Sequence, residues 1–167
     1  NDSASGTTGT VTNVLSGLAA SEVYELACQQ VVGISSEITY TNFFGMSSAA
    51  AVSGSGFILT SDGYVLTNYH VIESAYQNKA DITVMTHDGT KYTASVVGFE
   101  QENDVAVLKI DGENLPHVTI GDSDNMKVGD EVYAVGNPLG ELDFSMTTGH
   151  VSALDRLIAT DNSSESI

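Results

Sequence analysis

The feature that most constrains the fold is a pair of Asp-Gly dipeptides, each lying between two short runs of strand-forming residues. Asp62-Gly63 and Asp88-Gly89 supply the turn chemistry of tight antiparallel hairpins. Together with two further runs they give six short candidate strands: residues 31–34, 57–59, 64–67, 82–86, 92–97 and 105–110. Six such runs at short spacing are the content of one small closed β-barrel.

The rest of the chain is predicted to divide around this barrel. Residues 1–20 are small and polar at their start and indicate a flexible tether. Residues 21–115 form the first barrel with a short helix starting at Ser21, and residues 116–167 form part of a second β-barrel. Within these units, Thr39 to Val52 is predicted to be a loop, while residues 128–136 and 144–157 form strands around a turn at Asn137–Gly140.

Composition excludes several classes of function. The chain has 167 residues with 5 Lys+Arg against 22 Asp+Glu, a formal net charge of -17. Phosphate backbones repel such a surface, so nucleic-acid binding is not expected. No apolar run approaches the length of a membrane span.

No cofactor or metal centre is expected. The four histidines lack paired ligand spacing, and the cluster Asp122–Asn125 misses the calcium-loop pattern. Cys28 is the single cysteine, so an intrachain disulfide is impossible. It lies in an apolar helical stretch, which is typical of a buried small hydrophobe.

Two residues carry the chemistry that the pattern suggests. His70 follows the end of the run 64–67, with one helical turn predicted over Val71–Ala75, and Asp104 directly precedes the apolar run 105–110. A carboxylate beside an apolar strand needs a hydrogen-bond donor, and a histidine held by it in one tautomer is a suitable general base. The alternative is a structural role for both residues in a generic β-barrel.

Several motifs in order resemble the HtrA (DegP-type) branch of the trypsin-like serine peptidases. The matching segments are Ser53-Gly54-Ser55-Gly56-Phe57, residues 62–71, residues 103–109, Gly121-Asp122-Ser123, Val128-Gly129-Asp130 and residues 134–138. The resemblance implies an all-β, chymotrypsin/trypsin-like double β-barrel with a complete first barrel and a truncated second one. It also implies that His70 is the general base and that Asp104 orients it.

The family's nucleophile segment, Gly-Asn-Ser-Gly-Gly, does not occur in residues 1–167. None of Ser152, Ser163, Ser164 and Ser166 is flanked by glycines, so we expect the nucleophile beyond Ile167 and no activity from this chain alone. The resemblance implies an endopeptidase cleaving unfolded polypeptides, a homotrimer, and a location on the extracellular or envelope side of a bacterium. The alternative function is a non-catalytic polypeptide-binding or chaperone-like module on the same fold.

Overall fold

The secondary structure is mostly antiparallel β-sheet. The computed structural model describes residues 17–41, 47–137 and 144–154. Most of the predicted tether, residues 1–20, and all of residues 155–167 therefore lie outside the described residues. The elements are α1 (Ala20–Gln30), β1 (Val31–Thr41), β2 (Ser47–Ile58), β3 (Tyr64–Thr67), α2 (Tyr69–Asn78), β4 (Ile82–Met85), β5 (Lys91–Glu100), β6 (Val105–Lys109), β7 (Glu131–Gly136) and β8 (Ser145–His150). Over the described ranges, neither helix is long and apolar enough to cross a membrane.

Six strands close into a barrel in the order β1-β2-β3-β6-β5-β4, with antiparallel neighbours throughout. The two Asp-Gly turns join β2 to β3 and β4 to β5, as predicted, with Gly63 at φ 100° and Gly89 at φ 85°. A Cβ atom at position 63 would also collide with the carbonyl oxygen of Ile110, so this turn needs glycine. The prediction of a closed first barrel is confirmed.

The barrel interior is filled by aliphatic side chains that alternate along the strands with more exposed ones. Val65 in β3 and Val84 in β4 are fully buried, and α2 adds Ile72 and Ala75 to the same cluster. Burying each large aliphatic side chain contributes about 1.5–3 kcal/mol relative to leaving it exposed. Because α2 and the strands share one core, the start of α2 is fixed relative to the barrel.

A second unit is built on the β7–β8 hairpin, which is a separate two-stranded sheet. Cys28 of α1, Val31 of β1 and Phe144 before β8 form a small buried cluster, and the Tyr24 hydroxyl donates to the Phe144 carbonyl at 2.7 Å. Helix α1 therefore contacts both units, although the sequence assigned it to the first barrel. Cys28 is 1% exposed, which confirms that it is a buried small hydrophobe.

The predicted loop over Thr39–Val52 is wrong in large part. β1 and β2 pair continuously from Val31↔Phe57 to Thr41↔Ser47, so strand covers all of this stretch except residues 42–46, which lie outside the described residues. Ser and Ala have only a weak intrinsic preference for strands, but pairing with a neighbouring strand outweighs this weakness and makes the segment extended. Gly54 and Gly56 lie inside β2, where a Cβ would come within 2.6 Å of Val71 and 2.7 Å of the Leu66 carbonyl oxygen, respectively.

Two predicted boundaries also shift. Helix α1 begins at Ala20, and the Glu22 carboxylate accepts the backbone N–H of Ala19 at 2.7 Å, so Ser21 lies inside the first turn and does not cap the helix. β8 ends at His150, and residues 151–154 are not strand. The remaining part of the predicted segment, residues 155–157, and most of the predicted turn at Asn137–Gly140 lie outside the described residues.

Candidate active site

His70 lies in the first turn of helix α2. β3 ends at Thr67 and α2 runs from Tyr69 to Asn78, so the single turn predicted at Val71–Ala75 is too short. Tyr69 and Val71, on either side of His70, are buried, whereas the His70 side chain is 68% exposed. The helix fixes the backbone at His70 and leaves the ring accessible to solvent.

Asp104 lies in the turn that precedes β6, where the sequence predicts it. Its N–H donates to the Gln101 carbonyl at 3.2 Å, and the Glu100 carboxylate accepts the backbone N–H groups of Glu102 and Asn103 at 3.0 and 2.6 Å. Asp104 itself has a φ of 54°, in the left-handed region that Asp and Asn enter more readily than most residues. The turn therefore holds Asp104 in a left-handed backbone conformation directly before the apolar strand β6.

The structure brings the two predicted residues together. The Asp104 carboxylate meets His70 twice: Oδ2 lies 2.7 Å from the ring Nδ1, and Oδ1 accepts the His70 backbone N–H at 2.8 Å. Two contacts to one carboxylate fix both the position and the plane of that group relative to the ring. They join two segments that are 34 residues apart in the chain.

This arrangement selects one tautomer of the neutral imidazole. With a carboxylate at Nδ1, the proton is assigned to that nitrogen, and Nε2 is left with its lone pair as an acceptor. A ring held in this tautomer at a solvent-accessible position can take a proton from a hydroxyl at Nε2. The charge of Asp104 would then stabilise the imidazolium that forms.

The ionised form of Asp104 is favoured in the folded protein. Partial burial acts to raise the pKa of its carboxyl group, but the hydrogen bonds donated by the His70 amide and ring, helped by the charge of His70, outweigh it. The pKa of Asp104 therefore lies below its ordinary value. Asp104 is thus an anion at neutral pH.

An open cleft of about 280 Å³ adjoins the pair, between the barrel and β7. Its lining combines apolar side chains with the polar residues Ser55, Thr67, Asn68 and Asp104. Across this cleft the Ser55 hydroxyl accepts the backbone N–H of Asn137 at 2.7 Å, and Asn137 is fully buried. This bond ties the end of β7 to strand β2 of the barrel.

Sequence reasoning missed two residues of this neighbourhood. Asn68 donates from Nδ2 to the main-chain oxygen of Asp104 at 3.0 Å, and Ser55 links the two units. A polar residue before a helix is ordinarily expected to cap that helix, so the sequence carries no sign that Asn68 has a partner 36 residues away. Ser55 lies between two glycines inside a motif that matches the family, and nothing local to it indicates a partner 82 residues away.

The other candidate features have structural explanations or lie elsewhere. Asp122 caps the short turn at Ser123–Asn125, accepting from the Asp124 N–H and the Asn125 side chain. In the described ranges no group of three or more His, Cys, Asp or Glu side chains is arranged to hold a metal ion. Ser152 is exposed after β8, whereas Ser163, Ser164 and Ser166 lie outside the described residues.

Comparison with known proteins finds the same family along most of the chain. The family model of the trypsin-like peptidase domain matches residues 54–167. A probable periplasmic DegP-like serine endoprotease of Halomonas elongata is 48% identical over 108 residues, covering 65% of this chain and 22% of that protein. A protein of the same description from Chlamydia trachomatis is 44% identical over 126 residues, covering 70% of this chain and 24% of that protein.

Solved structures agree with these relatives. The HtrA-type protease AlgW with a decapeptide superposes with a TM-score of 0.68 at 30% identity, covering 81% of this chain and 46% of that one. A serine-to-alanine variant of AlgW with a decapeptide gives a TM-score of 0.70 at 31% identity. These neighbours confirm the fold class predicted from the sequence, the trypsin-like double β-barrel. The chain spans less than a quarter of the length of the curated relatives it matches. It belongs to the trypsin-like peptidase family, and within that family to the HtrA (DegP-type) proteases.

Proposed function

We propose that this chain is part of a serine endopeptidase in which His70 is the general base and Asp104 orients it. The observation that carries the proposal is the double contact of the Asp104 carboxylate with the ring Nδ1 and the backbone N–H of His70. A purely structural ion pair does not require a second contact that fixes the plane of the carboxylate relative to the ring. The double contact therefore favours catalysis over the generic-barrel alternative.

The mechanism follows from the geometry of the pair. A serine hydroxyl attacks the scissile carbonyl while Nε2 of His70 takes its proton, and the imidazolium later gives that proton to the leaving amine. Asp104 remains ionised and holds the ring in the productive tautomer. The serine and the backbone amides that stabilise the oxyanion are expected in a Gly-Asn-Ser-Gly-Gly segment beyond residue 167.

The substrates, location and assembly of the whole protein are part of the proposal. The similar AlgW structures hold a decapeptide, and the curated relatives are named periplasmic endoproteases. These names support polypeptide substrates and a location in the bacterial cell envelope, and the family resemblance implies a preference for unfolded polypeptides. A homotrimer is implied by the family resemblance. A binding module without catalysis would not require the His70–Asp104 pair, so this alternative is less well supported.

The test is proteolysis by the longer protein that carries the glycine-flanked serine. His70→Ala is expected to lower kcat/KM for a labelled unfolded substrate by about 10⁴-fold or more, because the base is lost. Asp104→Asn should cost about 10³–10⁴-fold, since an amide favours the wrong tautomer. Residues 1–167 alone should show no turnover.

The matched control is His150→Ala, which removes an exposed histidine of β8 that makes no part of the pair. Its activity should equal that of the unmodified protein. Full activity of the His70→Ala variant would refute the assignment of the base. A longer protein that is folded and has its serine segment intact, but cleaves nothing, would refute the protease assignment.

A further inference from the structure

Asn68 occupies the N-cap position of helix α2 but does not cap it. An Asn at this position ordinarily accepts a hydrogen bond from a backbone N–H of its own first turn. Within the described part of the chain its side chain makes no such bond, and Nδ2 donates instead to the main-chain oxygen of Asp104 at 3.0 Å. The N–H of His70, the second residue of the helix, is taken by the Asp104 carboxylate at 2.8 Å. The two residues have thus exchanged roles: Asp104 caps the helix, and Asn68 holds Asp104.

Besides its turn bond to Gln101 and its two contacts with His70, Asp104 is held by the bond from Asn68. Its φ of 54° is an unfavourable conformation for any residue with a side chain, so the turn would relax if it were not held. The Asp104 side chain is 35% exposed and the following Val105 is 37% exposed, so packing around this position is loose. A carboxylate that must meet two groups of His70 at once tolerates only small shifts of its main chain.

We propose that Asn68 is a positioning residue of the catalytic pair: its side-chain amide holds the main chain of Asp104 so that the carboxylate reaches both the N–H and the Nδ1 of His70. This inference rests on the proposed function for its catalytic consequence. Asn68 acts through Asp104, whose main-chain oxygen accepts its side-chain amide. Three hydrogen bonds then connect the first turn of α2 to one residue before β6.

The competing explanation is that Asn68 serves only the stability of the helix. The two explanations differ for Asn68→Ser, because serine is about as good an N-cap as asparagine. Its hydroxyl is too short to replace the amide that reaches Asp104. A role in helix stability therefore predicts no change, whereas a positioning role predicts a loosened pair.

The first measurement is NMR on residues 1–167, which needs no catalytic serine. In the unmodified chain the His70 Nδ1 proton, shared with Asp104, should give a downfield resonance protected from exchange with water. In Asn68→Ser this resonance should broaden, and the pKa of Asp104 from carboxyl ¹³C titration should rise toward its ordinary value. The matched control is Asn78→Ser, which removes a similar bond from an Asn amide to the Ser74 carbonyl (2.8 Å) at the far end of α2. Its His70 resonance should be unchanged.

The second measurement is catalysis by the longer protein with the nucleophile segment. Asn68→Ser should lower kcat about tenfold with KM within twofold, because the substrate still binds but the base is less well oriented. Asn78→Ser should leave both constants unchanged. If Asn68→Ser matches Asn78→Ser in resonance and in kcat, the proposal is overturned.

A second variant covers the case in which Asn68→Ser does not fold, as judged by circular dichroism. Asn68→Gly places an acceptable N-cap residue at this position, adds no charge beside the Asp104 carboxylate and has no amide donor. The proposal expects a formed helix with the His70 resonance lost, and an unchanged resonance would overturn it. If the longer protein shows no cleavage that depends on His70, the proposed function fails, while the NMR comparison still tests the anchoring itself.

Discussion

The closed barrel and the β7–β8 hairpin contain similar kinds of residues but bury them very differently. In the barrel, Leu108 and Val84 are fully buried, and every strand has a partner on both sides. Near the hairpin, Val128 is 62% exposed, and within the part of the chain that the structure describes β7 and β8 pair only with each other. An isolated two-stranded hairpin is marginal in water, so this unit depends on α1 and on the bond to Ser55 for its position.

The difference explains where the candidate site is built. His70 and Asn68 belong to the helix that shares the barrel core and to its N-cap, and Asp104 directly precedes strand β6; none of the three hydrogen bonds that join these residues involves the hairpin. The hairpin contributes Val135 to the cleft that Asp104 and Asn68 also line. The hairpin side of this cleft is less firmly supported than the barrel side. The barrel side of the cleft is therefore expected to be more rigid than the hairpin side, and the following experiments test this difference.

The largest effect is expected from a cavity in the barrel. Leu108→Ala should lower the free energy of unfolding by about 2–5 kcal/mol, because it removes a fully buried side chain from the core. The same substitution at Leu154, which is 43% exposed after β8, should cost less than about 1 kcal/mol. Urea unfolding of the two variants makes the comparison. Equal losses would show that the two regions do not differ in burial in solution.

A smaller effect is expected where the two units are tied. Ser55→Ala leaves the buried N–H of Asn137 without its acceptor, which costs about 1–3 kcal/mol. Hydrogen exchange should become faster in β7 and β8, while the amides of β3 and β6 keep their protection. Ser95→Ala, which removes a long 3.5 Å bond on the exposed face of β5, is the matched control. Faster exchange in the barrel strands instead would mean that the hairpin is not held through Ser55.

The smallest expected effect is a change in the stability of the barrel with pH, which arises from the carboxyl groups in its turns. Hydrogen bonds from Thr60 and Thr86 lower the pKa of Asp62 and Asp88, and the pKa of Asp104 is lowered by His70 against partial burial. A carboxyl group whose pKa is lower in the folded than in the unfolded state stabilises the fold at pH values above its pKa in the unfolded chain, which is about 4. This contribution to stability is lost as the pH falls through the pKa of the folded state. The stability of the barrel should therefore decrease below about pH 4.

Asp88→Asn tests this at one turn, because Asn-Gly still favours the hairpin but does not titrate. Its unfolding midpoint in urea should fall less between pH 6 and pH 3 than that of the unmodified chain. The change is small because the Asp88 carboxylate is exposed and screened by solvent. An identical pH dependence for both proteins would show that Asp88 gains no stabilising contacts on folding.

Predictions from short sequence patterns were correct where the local geometry or burial permits few residue types. Gly63 and Gly89 predicted their hairpins because a positive φ is required there. Asp104 was predicted because a carboxylate before an apolar strand needs a donor, and His70 because it follows a strand end and can supply that donor; the family resemblance then implied the roles of both. The extent of β1 and β2 was missed, since residues 47–51 are all Ser or Ala and form strand through pairing with β1.

By itself, the sequence determined the barrel, its hairpin turns and the two residues with acid–base chemistry, because turn geometry and alternating burial act over a few neighbouring residues. The tertiary structure alone decided that His70 lies in a helix and that Asn68 reaches across to the main chain of Asp104. It also decided that Ser55 ties β7 to the barrel. The two contacts join segments 36 and 82 residues apart, and such pairings depend on how the strands close, which no local pattern encodes.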